Sequence, residues 1–248
     1  MLTKARTKFI NSLKLKKNRK QEGLFVVEGA KNILEVLGSD FQVHSLYVTD
    51  NFYQLNSDRL SGLNFELTIA TGNQLATAGN FKNNDQALAI VKITNNQTIQ
   101  AENNEFALVL DDINDPGNLG TIIRVCDWYG IRKIIASKDT VDLYNPKVIS
   151  ASMGSFTRLK IFYTDLTKFI KNESGPFIGT FTNGVNIHEF HFDARGYIIM
   201  GNESNGIRPE IEKLVNSRLT IPSYGNAESL NVGVATGILL DNLTRIKN

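Results

Sequence analysis

Three short stretches of this 248-residue chain place amide, carboxylate, hydroxyl and guanidinium side chains next to glycine at the ends of apolar runs. In "DDINDPGNLGTIIR", residues 111–124, Asp111 and Asp112 close an apolar strand, Pro116-Gly117 turns the chain, and Asn118 falls at or near a helix N-cap. Arg124 follows close to two helical turns later, near the face that Asn118 begins. In "IIMGNESNGI", residues 198–207, a strand runs into Gly201, Glu203 and Gly206. Glycine at a strand end lets a ligand approach the backbone closely, and the carboxylate is either a cap for the helix "RPEIEKL" or a polar site residue. The third stretch, "AESLNVGVATGILLDNL", opens on Glu228, Ser229 and Asn231 before it turns apolar. Such groups can orient a polar ligand through hydrogen bonds and one fixed cation. Taken alone, the first stretch fits a capped helix with one surface arginine equally well.

Other chemistries lack their residues. Cys126 is the single cysteine, which rules out an internal disulfide and favours a reducing, cytoplasmic setting. His188 and His191 in "HEFH" have the wrong spacing for a zinc-protease helix, and His44 is isolated, so structural roles are expected for all three and no metal. No G-x-G-x-x-G follows a strand, "GNESNG" lacks the Lys-Ser/Thr of a phosphate loop, and it also fails G-x-S-x-G. No run approaches the 18 or so apolar residues of a membrane span.

The elements that must position these residues fall into two α/β regimes. Residues 1–93 alternate a basic helical start, the strand "LFVVEG", the helix "AKNILEVL", and the strands "HSLYVTD", "NFELTIA" and "QALAIVKI", with a short helix at "GNQLATA". Residues 94–104, "TNNQTIQAENN", are polar and aperiodic and read as a linker. Residues 105–248 open on "FALVLDD", a continuous apolar run suited to a parallel strand buried on both faces. "RKIIAS", "LKIFYT", "PFIGTFT", "GYIIMGNE" and "RLTIPS" are further strands, and open parallel sheets place ligands beyond the carboxyl ends of such strands.

Charge is unevenly spread. The net formal charge is +2, yet residues 1–31 carry nine Lys/Arg against Glu22 and Glu28, a local excess of seven positive charges. A basic end on a near-neutral body is the footprint of a polyanion partner, although a solvated helix face has the same composition. Lys14, Lys16, Lys17, Arg19 and Lys20 are the candidates for contact with a nucleic acid.

"NDPGNLGTIIR", "IIMGNESNGI" and "IPSYGNAESLNVGVATGILL" resemble, in order, the three motifs of the SpoU (TrmH-like) RNA ribose 2′-O-methyltransferases. The resemblance covers about residues 106–248 and implies a C-terminal α/β trefoil-knot (SPOUT) domain with a mainly parallel sheet. The basic N-terminal part is similar to the RNA-binding domain of many members, so the fold expected is a small N-terminal α/β domain followed by the methyltransferase domain. The implied reaction transfers a methyl from S-adenosylmethionine to a ribose 2′-oxygen, in rRNA by preference over tRNA. A catalytically inactive RNA-binding relative and a base methyltransferase are the competing readings.

The resemblance also implies roles. It gives the central catalytic role to Arg124, with Asn118, Glu203, Ser229 and Asn231 around the ribose. Gly201, Ile221 and Leu230 would line the slot for the donor's adenine, with Thr180 nearby. An arginine pKa above about 12 makes a free base at neutral pH cost at least about 7 kcal/mol, so Arg124 is expected to hold a phosphate and orient the 2′-hydroxyl. Members are generally homodimers through the knotted domain. Gly233 and Gly237, one turn apart where alanine would favour the helix by up to about 1 kcal/mol each, are expected to admit another backbone.

Overall fold

The computed structural model describes residues 2–245 apart from Leu63 and Asp85. The chain divides into two compact units, Met1–Asn95 with Asp142–Thr157, and Asn96–Val141 with Arg158–Asn248. In chain order the elements up to the linker are α1 (Lys4–Ser12), α2 (Lys16–Glu22), β1 (Leu24–Glu28), α3 (Ala30–Leu37), β2 (Val43–Val48), α4 (Asp50–Leu55), α5 (Ser57–Leu60), β3 (Glu66–Ile69), α6 (Gly72–Ala78) and β4 (Ala87–Lys92). They continue with β5 (Phe106–Leu110), α7 (Pro116–Trp128), β6 (Lys133–Ser137), α8 (Pro146–Ser152), a 3-10 turn (Ser155–Arg158), β7 (Lys160–Thr164) and α9 (Leu166–Asn172). The last are β8 (Phe177–Asn186), β9 (Gly196–Met200), α10 (Pro209–Glu212), β10 (Ser217–Thr220) and α11 (Val232–Arg245).

The first unit is built on a four-stranded sheet of order β1-β4-β2-β3, in which β4 is antiparallel to both neighbours and β2–β3 is parallel. Every residue of β1 is buried, as an apolar run with helices on the sheet requires. The helix read at "GNQLATA" is α6, fixed by a capping box in which Thr71 and Gln74 satisfy each other's backbone N–H groups. Residues 142–157, assigned from the sequence to the second domain, pack here instead. The Tyr144 ring lies 4.6 Å from that of Phe25 on β1, and Phe25 also meets Phe156 edge-on.

The second unit carries a six-stranded sheet of order β10-β8-β9-β5-β6-β7, parallel at every pairing. The central strand β5 is buried throughout, as its unbroken apolar run predicts. Chain order runs one way from β5 through β6 to β7 and the other way through β9, β8 and β10. The strand order therefore reverses at β5, the usual place for a ligand crevice in such a sheet. The segment read as a linker is held against this unit. Asn96 exchanges two 2.9 Å bonds with the backbone of Tyr163, and buried Ala101 donates its N–H to the Tyr197 hydroxyl at 2.8 Å. Its polar composition hides one ordered anchor at each end.

Cys126 is buried on α7, and burial pushes its thiol above the ordinary value, so it is no nucleophile. No helix among the described residues is long and apolar enough to cross a membrane.

Candidate active site

The three motifs meet at the carboxyl ends of β5, β9 and β10. Asp115, not Asn118, caps α7: its carboxylate accepts the Asn118 N–H at 2.8 Å, and Pro116 occupies the first helical turn. That arrangement releases the Asn118 side chain from capping, which corrects the sequence reading. The second motif is a closed turn after β9. Asn202 and Gly206 pair their backbones in both directions at 3.0 and 2.9 Å, and the Asn202 carboxamide oxygen accepts the N–H groups of Ser204 and Asn205. In the third motif Asn231 caps α11, accepting the Gly233 N–H at 2.9 Å. Helix α11 thus starts at Val232, and Ser229 and Leu230 precede it in extended, exposed chain.

Hydrogen bonds join the motifs in one direction. The Gly233 N–H donates to the Asn231 side-chain oxygen. The Asn231 Nδ2 donates to Asn118 Oδ1 at 2.9 Å, and Asn118 Nδ2 donates to the Glu203 carboxylate. Each amide has one orientation that satisfies both neighbours, so the donors all point toward Glu203. The relay begins at the N-terminus of α11, where free N–H groups favour an acceptor, and ends on an anion.

Arg124 and Ser229 stand outside this relay. Arg124 is exposed on α7, on the stripe that also carries Thr121 and Trp128, and none of the described residues pairs with its guanidinium. Six helical residues turn the chain about 240° past one full circle, so Asn118 and Arg124 face directions about 120° apart. The shared face expected from the sequence is therefore absent.

The candidates for the donor slot lie on adjacent strands. Gly201 follows β9, Thr180 lies in β8 and Ile221 follows β10. Ile221 is half-buried and Leu230 exposed. A Cβ at Gly201 would come within 2.3 Å of the backbone of Gly206 and Ile207, so the loop itself demands glycine there, before any ring is considered. The Thr180 hydroxyl donates to the Ile199 carbonyl at 2.9 Å, which commits its proton to β9. Beside it, β8 steps out of register with β10, Arg218 lying opposite Gly179 and Leu219 opposite Val185. Arg218 ties down that excursion: its guanidinium lies 3.7 Å from the Phe181 ring centre and donates to Asn183 at 2.7 Å.

Sequence reasoning missed the residues that hold the second motif in place. Asp111 has no exposed side-chain surface and binds Arg208, with 2.6 Å between Oδ1 and Nη2. Asn202 Nδ2 donates to the Asp112 carbonyl at 2.8 Å. The one available signal was an aspartate pair closing an otherwise apolar strand, because a buried carboxylate needs a partner.

Residues 105–241 match the SpoU rRNA Methylase family, more than half of the chain. The chain belongs to that family. Residues 4–89 match the MRM3-like substrate binding domain. Among similar proteins, the 23S rRNA (guanosine(2553)-2′-O)-methyltransferase RlmP of Bacillus subtilis is 28% identical over 235 residues, 93% of this chain and 92% of that protein. A TrmH-family protein from Porphyromonas gingivalis has a similar structure, with a TM-score of 0.87, 29% identity and 99% of each chain covered. The AdoMet-bound rRNA methyltransferase from Sinorhizobium meliloti gives a TM-score of 0.89 at 26% identity, covering 99% of this chain and 96% of that one. The family read from the three motifs is thus the family the chain matches, and the α/β fold with a mainly parallel second sheet is the one observed.

In the N-terminal unit, Lys14, Lys16, Lys17 and Lys20 are exposed, as a polyanion surface requires. Arg19 is not. Its side chain is 3% exposed and paired with Asp142 at 2.6 Å, and it also donates to the carbonyls of Leu13 and Lys14. With its donors so engaged it fastens the chain between α1 and α2 and leaves no face for a phosphate. Gly233 also has a local explanation. A Cβ there would lie 2.8 Å from Thr121, so this glycine brings α11 against α7 of the same chain, whereas a Cβ at Gly237 meets nothing within 4 Å. Among the described residues, no three His, Cys, Asp or Glu cluster in a way that could hold a metal ion.

Proposed function

We propose that this chain is an S-adenosylmethionine-dependent methyltransferase that modifies a ribose 2′-hydroxyl of ribosomal RNA. The observation that carries the reading is the directed relay from Asn231 through Asn118 to Glu203, which aligns all three motifs in a chain of the SpoU rRNA Methylase family. The AdoMet-bound state of the Sinorhizobium meliloti relative supports the donor, and the rRNA named for the Bacillus subtilis relative supports the substrate class.

The residues present fit the donor. Three adjacent strand ends offer backbone groups at Gly201 and aliphatic surface at Ile221 and Leu230, a mostly apolar slot with a few polar edges. Thr180 supports that wall from β8, its hydroxyl fixed on Ile199. The bound donor supplies a methyl on a positively charged sulfonium, which leaves as a neutral thioether when the carbon–oxygen bond forms. What remains for the protein is to orient the hydroxyl and draw off its proton. Glu203, held at one oxygen by Asn118, keeps its other oxygen for the ribose, and Ser229 offers a hydroxyl in the adjoining chain. Arg124, uncommitted to any side chain, holds the neighbouring phosphate and orients the 2′-oxygen. Orientation of this kind supplies up to roughly 7–11 kcal/mol in favourable cases. Gly201→Ala is expected to weaken donor binding at least tenfold by calorimetric titration, because the added methyl displaces the loop backbone.

RNA docks on the N-terminal unit through Lys14, Lys16, Lys17 and Lys20, with Arg19 as their scaffold. Each lysine that neutralises a phosphate steepens the slope of log affinity against log salt by about 1. Replacing Lys16 and Lys17 with alanine is expected to lower that slope by about 2 in filter-binding titrations. Arg19→Lys should leave it unchanged.

The working unit is a homodimer in the cytoplasm, formed through the exposed face of α7 and α11 in the knotted domain. Trp128 on that face is 83% exposed, Val234 is 53% exposed, and the open surface at Gly237 admits a close neighbour. Trp128→Glu is expected to sediment as a folded monomer.

A further inference from the structure

The second motif is fastened at both ends to two consecutive residues, and the stronger fastening joins Asp111 to Arg208, just beyond that motif. Asp111, fully buried, accepts the backbone N–H of Arg208 on Oδ2 at 2.8 Å and the Arg208 Nε on Oδ1 at 2.7 Å. The Arg208 Nη2 adds a third bond at 2.6 Å. At the other end Asn202 Nδ2 donates to the carbonyl of Asp112, a residue held at a φ of 60°. Between these fastenings lies Glu203, the residue on which the relay from Asn118 ends.

We propose that Asp111 and Arg208 are positioning residues for methyl transfer, acting through Glu203. The inference rests on the reading of Glu203 as a group at the reacting ribose. Stability alone does not call for an ion pair here, since a well-packed apolar pair of similar volume is often as stable. What the pair adds is geometry. Nε and Nη2 of the guanidinium both grip Oδ1 while Oδ2 holds the Arg208 backbone N–H, so both carboxylate oxygens are engaged and the loop cannot slide along the end of β5. Asp139 at 3.6 Å and Glu210 at 3.8 Å also face the guanidinium. With Asp111 they hold its pKa above the ordinary arginine value, so its charge is constant at working pH. Lysine, a point charge without a fork, can keep the charge and lose the plane.

The test uses the full chain, with methyl transfer measured at saturating donor and RNA for four variants: Arg208→Gln, Arg208→Lys, Glu203→Gln and the double variant Arg208→Gln/Glu203→Gln. Arg208→Gln is expected to lower kcat about tenfold while KM for RNA stays within about twofold, and Arg208→Lys to fall between it and wild type. In the Glu203→Gln background the same Arg208→Gln change is expected to alter kcat by less than about twofold, because its route of action is already gone. Thermal melting follows a different pattern, with the same fall in Tm in both backgrounds. Losses of kcat that multiply across the two positions would overturn the positioning role alone. Wild-type kcat in Glu203→Gln would overturn the reading of Glu203 and the proposal with it. If Arg208→Gln does not fold, Arg208→Lys in the same two backgrounds gives the same comparison.

Discussion

Asn118→Asp is expected to lower methyl transfer by about 100-fold near pH 8, the scale of losing one oriented donor from a reaction site. The substitution keeps shape and removes a donor. In the native site Asn118 Nδ2 donates to the Glu203 carboxylate while Oδ1 accepts from Asn231. An aspartate still accepts from Asn231, but it sets a second carboxylate against Glu203. Two carboxylates at hydrogen-bonding distance cannot both ionise freely, so the pair takes up a proton with one pKa raised. Above that pKa the charges repel and the second motif moves away from α7. Below it, the shared proton rebuilds the missing bond. The loss should therefore shrink as pH falls through that raised pKa, in a profile of kcat against pH that wild type does not share. A deficit that is constant with pH would mean that the Asn118–Glu203 bond does not govern the reaction.

Asp142→Ala is expected to destabilise the first unit by about 3 kcal/mol, the lower end of the cost of stranding a buried charge. Arg19 would keep only the carbonyls of Leu13 and Lys14, at 3.0 and 2.7 Å, for a guanidinium that is 3% exposed. The lower end applies because Asp142 is itself 18% exposed, so water can reach part of the vacated place. Urea unfolding followed by tyrosine fluorescence should show an earlier midpoint for the first transition. A change under 1 kcal/mol would mean that water replaces the carboxylate fully, and that Arg19 is fastened by the carbonyls alone.

The strands of the second unit were legible in the sequence for a physical reason. A parallel strand buried on both faces must be apolar through its centre, and "FALVL", the "IIA" of "KIIAS" and the "YIIM" of "GYIIM" are. The three motifs were legible as a resemblance, and as polar residues at strand ends. What the sequence did not carry depends on partners distant along the chain. Arg19 reads as one more cation in a basic run until Asp142, 123 residues on, proves to be its counter-ion. Asn118 reads as a cap until Asp115 takes that role and frees its amide for Glu203 and Asn231. The need for glycine at 201 arises from the backbone of Gly206 and Ile207 folding back over it, a closure that spacing alone does not reveal. The linker has the composition of a free tether, and partners distant along the chain, Tyr163 and Tyr197 among them, make it an ordered strap.

The most direct test is label transfer from methyl-tritiated S-adenosylmethionine to total RNA from a strain lacking this protein, followed by nucleoside analysis. Label is expected in a 2′-O-methylnucleoside of rRNA, and none when Arg124→Ala replaces the native chain. Label on a base, or undiminished label with Arg124→Ala, would contradict it.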